Sequence, residues 1–329
     1  MSDSDFQSTM VAPSGQAPSM NGAIIADRYQ ILNLLGVGGM GEVWEARHLL
    51  LDRVVALKLL GRQMAPVAER LATEARALAR VRHPAVVEVY DCGTLNNGMP
   101  YLAMERLQGD TLASAVRRGP LPVAEAVRLF IPILDGLAAA HRVGIIHRDF
   151  KPENIFLVDN ENARPTPKLI DFGIARIEDG AARTTMPGSL IGTPAYMSPE
   201  QFRGEFCTKA ADLWSATASL YEVITGQLPF GGDRMQVVKQ RVLDAPLPYP
   251  RKVAGLDGRL WSFLARGLRK IADQRFESAE VMRDELTAWL DKAPPASKSR
   301  AEGPGPFAAL GPEPSGTIDA IIRANLQPG

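Results

Sequence analysis

The sequence predicts an α+β fold of two lobes, the first rich in strands and the second helical. Three strand-like runs follow one another from Tyr29 to Leu60, namely YQILNLLG, GEVWEARH and RVVALKLL, with turn residues between them. From Leu112 onward helical patterns dominate, as in AEAVRLFIPILDGLAAAHRVG and AADLWSATASLYEVITG. Strands first and helices afterwards indicate two segregated lobes rather than alternating βαβ units.

The remainder of the first lobe is predicted to hold one helix and two more strands. The run PVAERLATEARALARV spaces Val67, Leu71, Leu78 and Val81 as one face of a helix does. AVVEVYDCG and PYLAMERL then read as strands, because they are short, rich in β-branched and aromatic residues, and bounded by turn residues.

Both ends of the chain differ in composition from the middle. Residues 1–26 are rich in Ser, Gly, Pro and Met without a period, which predicts disorder. Residues 293–329 form a Pro/Gly-rich tail. Within it, residues 317–326 would place apolar side chains on one face of a helix. A frayed terminus and a short docking helix are the two alternative interpretations of this segment. Either tail is a candidate docking segment for a partner.

Composition and charge exclude several classes of protein. Lys+Arg and Asp+Glu both number 37, which argues against a nucleic-acid binder. Cys92 and Cys207 form no metal or redox spacing, and two cysteines in 329 residues indicate a reducing compartment. The amino terminus has no secretory pattern and no stretch is apolar enough for a membrane span. We therefore expect a cytoplasmic protein.

LGVGGMGEVWEA contains a GxGxxG pattern formed by Gly36, Gly38 and Gly41. Glycines let backbone N–H groups approach a phosphate closely. The pattern alone also fits a dinucleotide-binding turn or a plain glycine-rich hairpin. A dinucleotide turn needs a helix directly after the glycines, whereas Val43 and Trp44 continue as a strand, so the dinucleotide interpretation is disfavoured.

Lys58 lies within an apolar strand, and Glu74 lies on the apolar stripe of the following helix, three residues after Leu71. A carboxylate turned toward a core is costly unless it is paired. We therefore expect Lys58 and Glu74 to pair and to hold the ammonium against a bound polyphosphate. A surface lysine is the alternative for Lys58 considered alone.

The motifs that follow complete a series. After the glycine pattern come VALK, the helix Glu, HRDFKPEN at 147–154, DFG at 171–173 and GTPAYMSPE at 192–200. In this order the sequence resembles the bacterial eukaryotic-like (Hanks-type) serine/threonine protein kinases over residues 29–292. The resemblance implies a bilobal protein kinase fold with a small strand-rich N-lobe that carries one key helix, and a larger helical C-lobe. The implied boundaries are a kinase domain at 27–292, with N-lobe 27–104, hinge 105–109 and C-lobe 110–292.

The resemblance implies an ATP-dependent, non-specific protein kinase acting on Ser and Thr hydroxyls of protein substrates. It assigns the catalytic positions to Asp149, Lys151, Asn154 and Thr193. Asp149 accepts or orients the proton of the attacking hydroxyl, and Lys151 faces the γ-phosphoryl group. Asn154 and Asp171 are the implied ligands of Mg²⁺, with Mn²⁺ as an alternative ion.

The resemblance also implies a nucleotide site. Met104 takes the gatekeeper position, with the Glu105 and Leu107 backbone contacting adenine, and apolar residues of both lobes enclose the base. The full set is Leu35, Gly36, Val37, Gly38, Gly39, Met40, Gly41, Val43, Ala56, Lys58, Glu74, Met104, Glu105, Leu107, Phe156 and Asp171.

Three further expectations come with the resemblance. An apolar column, anchored by Asp212, is implied from Leu78, Val89, His147 and Phe172. Glu200 is expected to pair with Arg275. Residues 159–167, DNENARPTP, lengthen the turn before DFG relative to the family pattern.

The segment from Asp171 to Glu200 suggests regulation. Thr185, then Thr184, then Ser189 are the candidate autophosphorylation sites, because a phosphate there would satisfy Arg148. Merely exposed hydroxyls are the alternative. The alternative function is a nucleotide-binding pseudokinase scaffold, which would be marked by loss of Lys58, Asp149 or Asp171, and all three are present.

Overall fold

The computed structural model describes residues 20–38, 41–160, 164–173, 194–250 and 253–293. The strands are β1 Ile24–Ile25, β2 Tyr29–Gly38, β3 Gly41–His48, β4 Arg53–Leu60, β5 Val89–Thr94, β6 Pro100–Glu105, β7 Gly109–Thr111, β8 Ile155–Val158 and β9 Thr166–Leu169. The helices are α1 Ala68–Leu78, α2 Leu112–Arg117, α3 Val123–Arg142, α4 Pro199–Arg203, α5 Lys209–Thr225, α6 Met235–Asp244, α7 Gly258–Gly267 and α8 Ala279–Lys292.

The first lobe is an antiparallel sheet with strand order β1-β2-β3-β4-β6-β5. Alternate side chains of its strands form one apolar layer, in which Tyr29, Trp44, Leu57 and Tyr101 are buried. Helix α1 packs against β5 and β6 through the face that carries Leu71 and Leu78. The five predicted strands, now β2 to β6, and the predicted helix are all present, because their apolar periods match the faces that the sheet buries.

The hairpin between β2 and β3 depends on a glycine. Gly38 pairs with Gly41 across the turn, and Gly41 has φ +145. A Cβ atom at Gly41 would lie 2.0 Å from the carbonyl oxygen of Leu59 on β4. Any side chain there would collide with backbone, so this glycine is required by the close approach of two strands.

The second lobe is built around two long helices. Eleven residues of α3 are buried, and α8 packs along α3. Helix α5 is buried on nearly every side, from Ala211 to Ile224. Polar side chains at the N-caps of α2, α5, α7 and α8 accept hydrogen bonds from the first turn of each helix, which satisfies backbone donors there. The predicted α+β organisation in two lobes is confirmed.

A small sheet, in the order β7-β8-β9, lies at the junction of the lobes. Residues 106–108 connect β6 of the first lobe to β7 of the second. Val87, just before β5, donates its N–H to the carbonyl oxygen of Leu169 at 2.9 Å. The junction therefore holds the loops before β8 and after β9 close to the first lobe.

The amino-terminal segment differs in part from the prediction of disorder. Residues 20–26 belong to the described structure, and β1 pairs with β2 through Ile24 and Gln30. Met20 and Ile25 pack against the apolar layer of the first sheet. Within the described part of the chain, no helix has the length and apolar character required to cross a bilayer.

Candidate active site

The loop between α3 and β8 carries the HRDFKPEN motif and is fixed by one buried carboxylate. Asp212, on α5, accepts hydrogen bonds from the backbone N–H of His147 at 2.7 Å and of Arg148 at 2.8 Å. His141 Nε2 lies 2.8 Å from the same carboxylate. Arg148 has φ 60, a left-handed conformation that is uncommon outside glycine and is found at functional sites.

The three polar side chains that follow form a compact group. Lys151 Nζ lies 3.5 Å from Asp149 Oδ2. The Asn154 amide donates to the Asp149 carbonyl at 2.8 Å and to Asp149 Oδ2 at 3.2 Å. Lys151 and Asn154 are buried, and the Asp149 side chain is 17% exposed. The carboxylate is thus held from both sides and still faces solvent, as a group that receives a substrate proton must.

Asp171 and Lys58 form the second polar group. Lys58 Nζ, on β4, donates to Asp171 Oδ1 at 2.7 Å. Asp171, like Arg148, has a left-handed backbone, with φ 51. Burial raises the pKa of the Asp171 carboxyl, but the charge and hydrogen bond of Lys58, together with the charge of Lys151, outweigh burial and hold that pKa below its usual value. Asp171 is therefore an anion at neutral pH.

Glu74 does not pair with Lys58 in the structure, contrary to the expectation. Its carboxylate instead accepts a hydrogen bond from Arg148 at 2.9 Å, while Lys58 bonds to Asp171. Both side chains of the Arg148–Glu74 pair are partly exposed, at 24% and 29%. The physical reason is that α1 brings Glu74 to the loop before β8 rather than to β4, and the nearest cation there is a guanidinium.

The oxygen atoms beside these groups suit a divalent cation. Asn154 donates through its amide nitrogen, which leaves its side-chain oxygen as an acceptor. Asp171 gives one oxygen to Lys58 and keeps the other. Among the described residues no cluster of three or more His, Cys, Asp or Glu could enclose a metal. Two hard oxygen donors without a full cage fit Mg²⁺, which is commonly completed by water and phosphate oxygens.

The predicted adenine-enclosing residues come together in one apolar cluster beside this polar group. Six predicted residues belong to it, drawn from β2, β3, β4, β6, β8 and the 106–108 connection: Leu35, Val43, Ala56, Met104, Leu107 and Phe156. Val87 and Ile170 are buried in the same cluster, with Leu102 and Val158 packed against it, and none of the four was predicted. Among the described residues, no hydrogen bond is donated by the Leu107 N–H.

The apolar column predicted between the lobes is partly visible in ring contacts. The His147 and Phe172 rings lie with centroids 4.5 Å apart. Leu78, Val89 and Phe172 share one core cluster. Burial lowers the pKa of His147, against the opposing charges of Asp212 and Asp149, so this imidazole is a packed neutral ring rather than a base.

Several predicted positions lie outside the described residues. They are Gly39, Met40 and Thr193, together with the three phosphorylation candidates Thr184, Thr185 and Ser189. Gly36, Val37, Gly38 and Gly41 lie in the β2–β3 hairpin, as predicted from the strand pattern on either side of the glycines.

The SPE end of the later motif is anchored as expected. Arg275 donates to both oxygens of Glu200, each at 2.7 Å, and the guanidinium is buried. A second carboxylate near this segment was missed: Glu222 on α5 accepts from the Tyr196 hydroxyl at 2.6 Å. Burial raises the pKa of Glu222 to about 7 even though the Tyr196 hydrogen bond opposes the shift, and Glu153 adds to the rise.

The connection between the lobes is braced by two ion pairs that the sequence did not reveal. Lys168 on β9 donates to both oxygens of Glu105, at 2.7 and 3.0 Å. Arg106 donates to Glu45 on β3 at 3.0 Å. Each pair joins residues about 60 positions apart, so no local pattern could have indicated them.

A strand-rich lobe with a glycine hairpin, joined to a helical lobe with a carboxylate-bearing loop, defines the protein kinase class of fold. Residues 29–286 match the model of the protein kinase domain. The chain belongs to the protein kinase family.

Its relatives are bacterial serine/threonine-protein kinases by name. The chain is 38% identical to the serine/threonine-protein kinase PknB of Mycolicibacterium smegmatis, over 83% of this chain and 45% of the relative. It is 39% identical to pkn2 of Myxococcus xanthus, over 80% of this chain and 33% of the relative. It is 36% identical to pkn3 of the same organism, over 92% of this chain and 58% of the relative. The matched part is thus from about a third to somewhat over half of each relative, and the expected bacterial Hanks-type family is confirmed.

Proposed function

We propose that this chain is an Mg²⁺- and ATP-dependent kinase that transfers the γ-phosphoryl group of ATP to Ser and Thr hydroxyls of proteins. The observation that carries the proposal is the group around Asp149, in which Lys151 lies 3.5 Å from Asp149 and Asn154 fixes the same carboxylate. Phosphoryl transfer requires positioning and charge stabilisation more than covalent help, and these side chains supply both.

Asp149 acts on the attacking hydroxyl. Two hydrogen bonds from the Asn154 amide orient the residue, so its carboxylate accepts the proton of a Ser or Thr hydroxyl in one fixed geometry. Lys151, buried beside it, offsets the negative charge that develops on the transferred group. Thr193 lies outside the described residues, and the sequence resemblance predicts that it contacts both side chains.

Asn154 and Asp171 hold the metal. Mg²⁺, with Mn²⁺ as the alternative ion, would be held by these two side chains and would neutralise negative charge on the phosphates. Without the metal, the positive charge of Lys58 keeps Asp171 ionised. Once a nucleotide is bound, Lys58 faces its phosphates. Glycines of the β2–β3 hairpin allow the backbone to approach those phosphates.

Adenine occupies the apolar cluster around Leu35, Ala56 and Phe156. The Leu107 N–H, which donates to no other described residue, faces the base, as the Glu105 backbone does. A flat aromatic base between apolar walls, with one or two directed backbone groups, is the usual design of a small-molecule site.

The direct test incubates the purified chain with γ-labelled ATP and Mg²⁺, with and without a generic basic protein. We expect label on Ser and Thr of the chain itself and of the added protein, and none when EDTA replaces Mg²⁺. Binding of ATP without any label transfer, at any Mg²⁺ or Mn²⁺ concentration, would support the pseudokinase scaffold instead.

We further propose that the chain phosphorylates Thr185 first, then Thr184 and Ser189. A phosphate carries about −1.5 to −2 charges and pairs strongly with arginine, which motivates Arg148 as its partner. Mass spectrometry of wild-type and Asp149→Asn protein, expressed alike, decides this. Absence of phosphate from all three positions in an active wild type contradicts the assignment.

A cytoplasmic location is proposed from the cysteines. The chain of 329 residues has two cysteines, Cys92 and Cys207. So few cysteines in a chain of this length are typical of reducing compartments. Fractionation of cells that produce the protein tests the location.

A further inference from the structure

The second lobe contains a groove that the proposed reaction does not use. We call it the α3 groove, a cavity of about 360 Å³ between the first half of α3 and the segment that leads into β9. Its wall residues include Glu125, Arg128, Leu129, Pro132, Arg164 and Pro167. The four from α3 follow the i, i+3, i+4, i+7 spacing of one helix face.

The opposite wall comes from the lengthened turn before DFG. Arg164, Pro165, Thr166 and Pro167 all line the groove, and they belong to the segment in which this sequence departs from its family pattern. This segment therefore adds a wall to a surface groove whose lining includes none of Asp149, Lys151 and Asn154.

The charged side chains of the groove act on one another, but among the described residues they form no close ion pair. Arg128 and Arg164 are exposed, and neither guanidinium forms an ion pair within the described part of the chain. Burial raises the pKa of Glu125, and the charges of both arginines oppose that rise. The groove thus carries two positive charges and one negative charge around a leucine and several prolines. It suits an apolar segment that also has one acidic and one basic side chain.

The end of α8 lies near the start of α3. Glu280, at the start of α8, pairs with Arg142 at the end of α3. At the other end, Trp289 donates to Asp257 at 2.9 Å, and a Cβ at nearby Gly255 would lie 3.5 Å from Val123, the first residue of α3. Helices α3 and α8 are therefore antiparallel, and the chain leaves α8 at the end of α3 that forms the groove.

The chain beyond Ala293 is long enough for its last residues to reach the α3 groove. Residues 294–316 would span roughly 25 Å as a flexible chain. The groove-forming part of α3, from Glu125 to Pro132, is about 10 Å long. The segment 317–326, TIDAIIRANL, can therefore reach the groove without strain, and tethering gives it a high effective concentration there.

The segment 317–326 matches the groove in shape and charge. Ile318, Ile321 and Ile322 fall on one face if the segment is helical, and Leu326 extends that face. Asp319 and Arg323 are four residues apart, which is one helical turn. Glu125 and Arg128 are likewise one turn apart on α3.

We propose that residues 317–326 dock into the α3 groove as a short helix antiparallel to α3, with Asp319 facing Arg128 and Arg323 facing Glu125. The isoleucines contact Leu129 and the prolines, and Arg164 closes the acidic side. The groove is then an intramolecular docking site for the tail of this chain.

Hydrogen–deuterium exchange on the full chain tests the docking. We expect amides of 317–326 to exchange about tenfold more slowly than in a synthetic peptide of residues 315–329. Arg128→Glu should remove most of that protection, and so should Asp319→Arg. The double variant, which restores opposite charges, should regain part of it.

Lys239→Glu, a charge reversal on an exposed residue of α6, is the matched control and should leave the protection unchanged. Exchange of 317–326 at the rate of the free peptide overturns the proposal. Protection that disappears on dilution also overturns it, because the segment would then bind a second copy. Equal protection in wild type, Arg128→Glu and Asp319→Arg shows that the tail lies elsewhere.

Discussion

In the proposed reaction, transfer depends on Asp149, whose position is fixed by hydrogen bonds from Asn154. We expect Asp149→Asn to lower kcat about 10²–10⁴-fold, because the proton acceptor is lost while the shape is kept. ATP affinity should change little, since the apolar cluster and Lys58 are untouched. Steady-state kinetics and ATP binding by calorimetry measure the two effects separately.

The matched control is Asp291→Asn, an exposed carboxylate near the end of α8, which should leave kcat at the wild-type value. More than a tenth of wild-type turnover in Asp149→Asn would refute the role of Asp149.

Glu222 is predicted to make stability depend on pH. Its folded pKa is about 7, raised mainly by burial, so the folded state holds a proton that the unfolded chain releases near its ordinary, lower pKa. Stability is therefore fully present below the unfolded pKa and is lost as pH rises through 7. Glu222→Gln should remove this loss, and by pH 8 it should be more stable than wild type by about 3 kcal/mol.

Urea unfolding between pH 5 and 8 measures the effect, with Glu277→Gln as an exposed control that should follow wild type. If the wild-type and Glu222→Gln curves run parallel over that range, Glu222 is not protonated in the folded protein.

For single residues, the sequence predicted those groupings of side chains that lie within one short segment. Asp149, Lys151 and Asn154 lie within six positions, so their grouping follows from one loop. Glu222 was missed because its hydrogen bond comes from Tyr196, 26 residues earlier, and its burial comes from packing of α5. A carboxylate on a helix is normally solvated, and nothing in the sequence around Glu222 indicates otherwise.

Among the elements, the position of α1 determines which cation Glu74 meets. In the structure Glu74 bonds to Arg148, and Lys58 bonds to Asp171. For the unphosphorylated protein we expect a double-mutant cycle between Glu74→Gln and Arg148→Met to give a coupling of about 1 kcal/mol in unfolding free energy. The corresponding cycle between Glu74→Gln and Lys58→Met should give a value near zero.

Glu69→Gln, an exposed carboxylate earlier on α1, is the control and should not couple to Arg148→Met. Asp149→Asn serves as the background, so that self-phosphorylation cannot alter the result. A larger coupling of Glu74 to Lys58 than to Arg148 contradicts the arrangement of α1 described here.

The helical pattern of α1 was readable from its apolar spacing, and so was the inward turn of Glu74. The partner of Glu74 could not be predicted, because a shift of a helix along or around its axis changes long-range pairs without changing any local pattern. The same limit applies to the Lys168–Glu105 and Arg106–Glu45 pairs that brace the connection between the lobes.

For the whole molecule, the boundaries of the folded unit are open to test. We propose a kinase domain that extends from residue 20, rather than 27, to 292, because β1 pairs with β2 and Ile25 packs on the sheet. Deletion of residues 1–19 should leave the melting temperature unchanged. Deletion of 1–26 should cost about 2 kcal/mol, which lowers Tm by several degrees in a protein of this size.

Differential scanning calorimetry of the two truncated proteins beside the full chain gives the comparison. Equal melting temperatures for both deletions would show that β1 adds nothing to stability.

The order of strands and helices gave the two-lobe architecture, because apolar periods of two and of 3.6 residues occupy separate halves of the chain. β1 escaped prediction since it is two residues long and lies in a segment of Gly and Ala without alternation. The position of β1 is determined by the edge of β2, whose backbone N–H and C=O groups can pair with an adjacent segment.

Arg148 combines a fixed backbone with a side chain that reaches the other lobe. Its backbone N–H donates a hydrogen bond to Asp212 of α5, and its guanidinium donates one to Glu74 of α1. The side chain can exchange one anion for another by rotating about its own bonds, and the next peptide, which carries Asp149, need not move. In the proposed mechanism, regulation and chemistry can therefore diverge separately in evolution, because a new anion would compete only for the Arg148 guanidinium while Asp149 keeps its geometry.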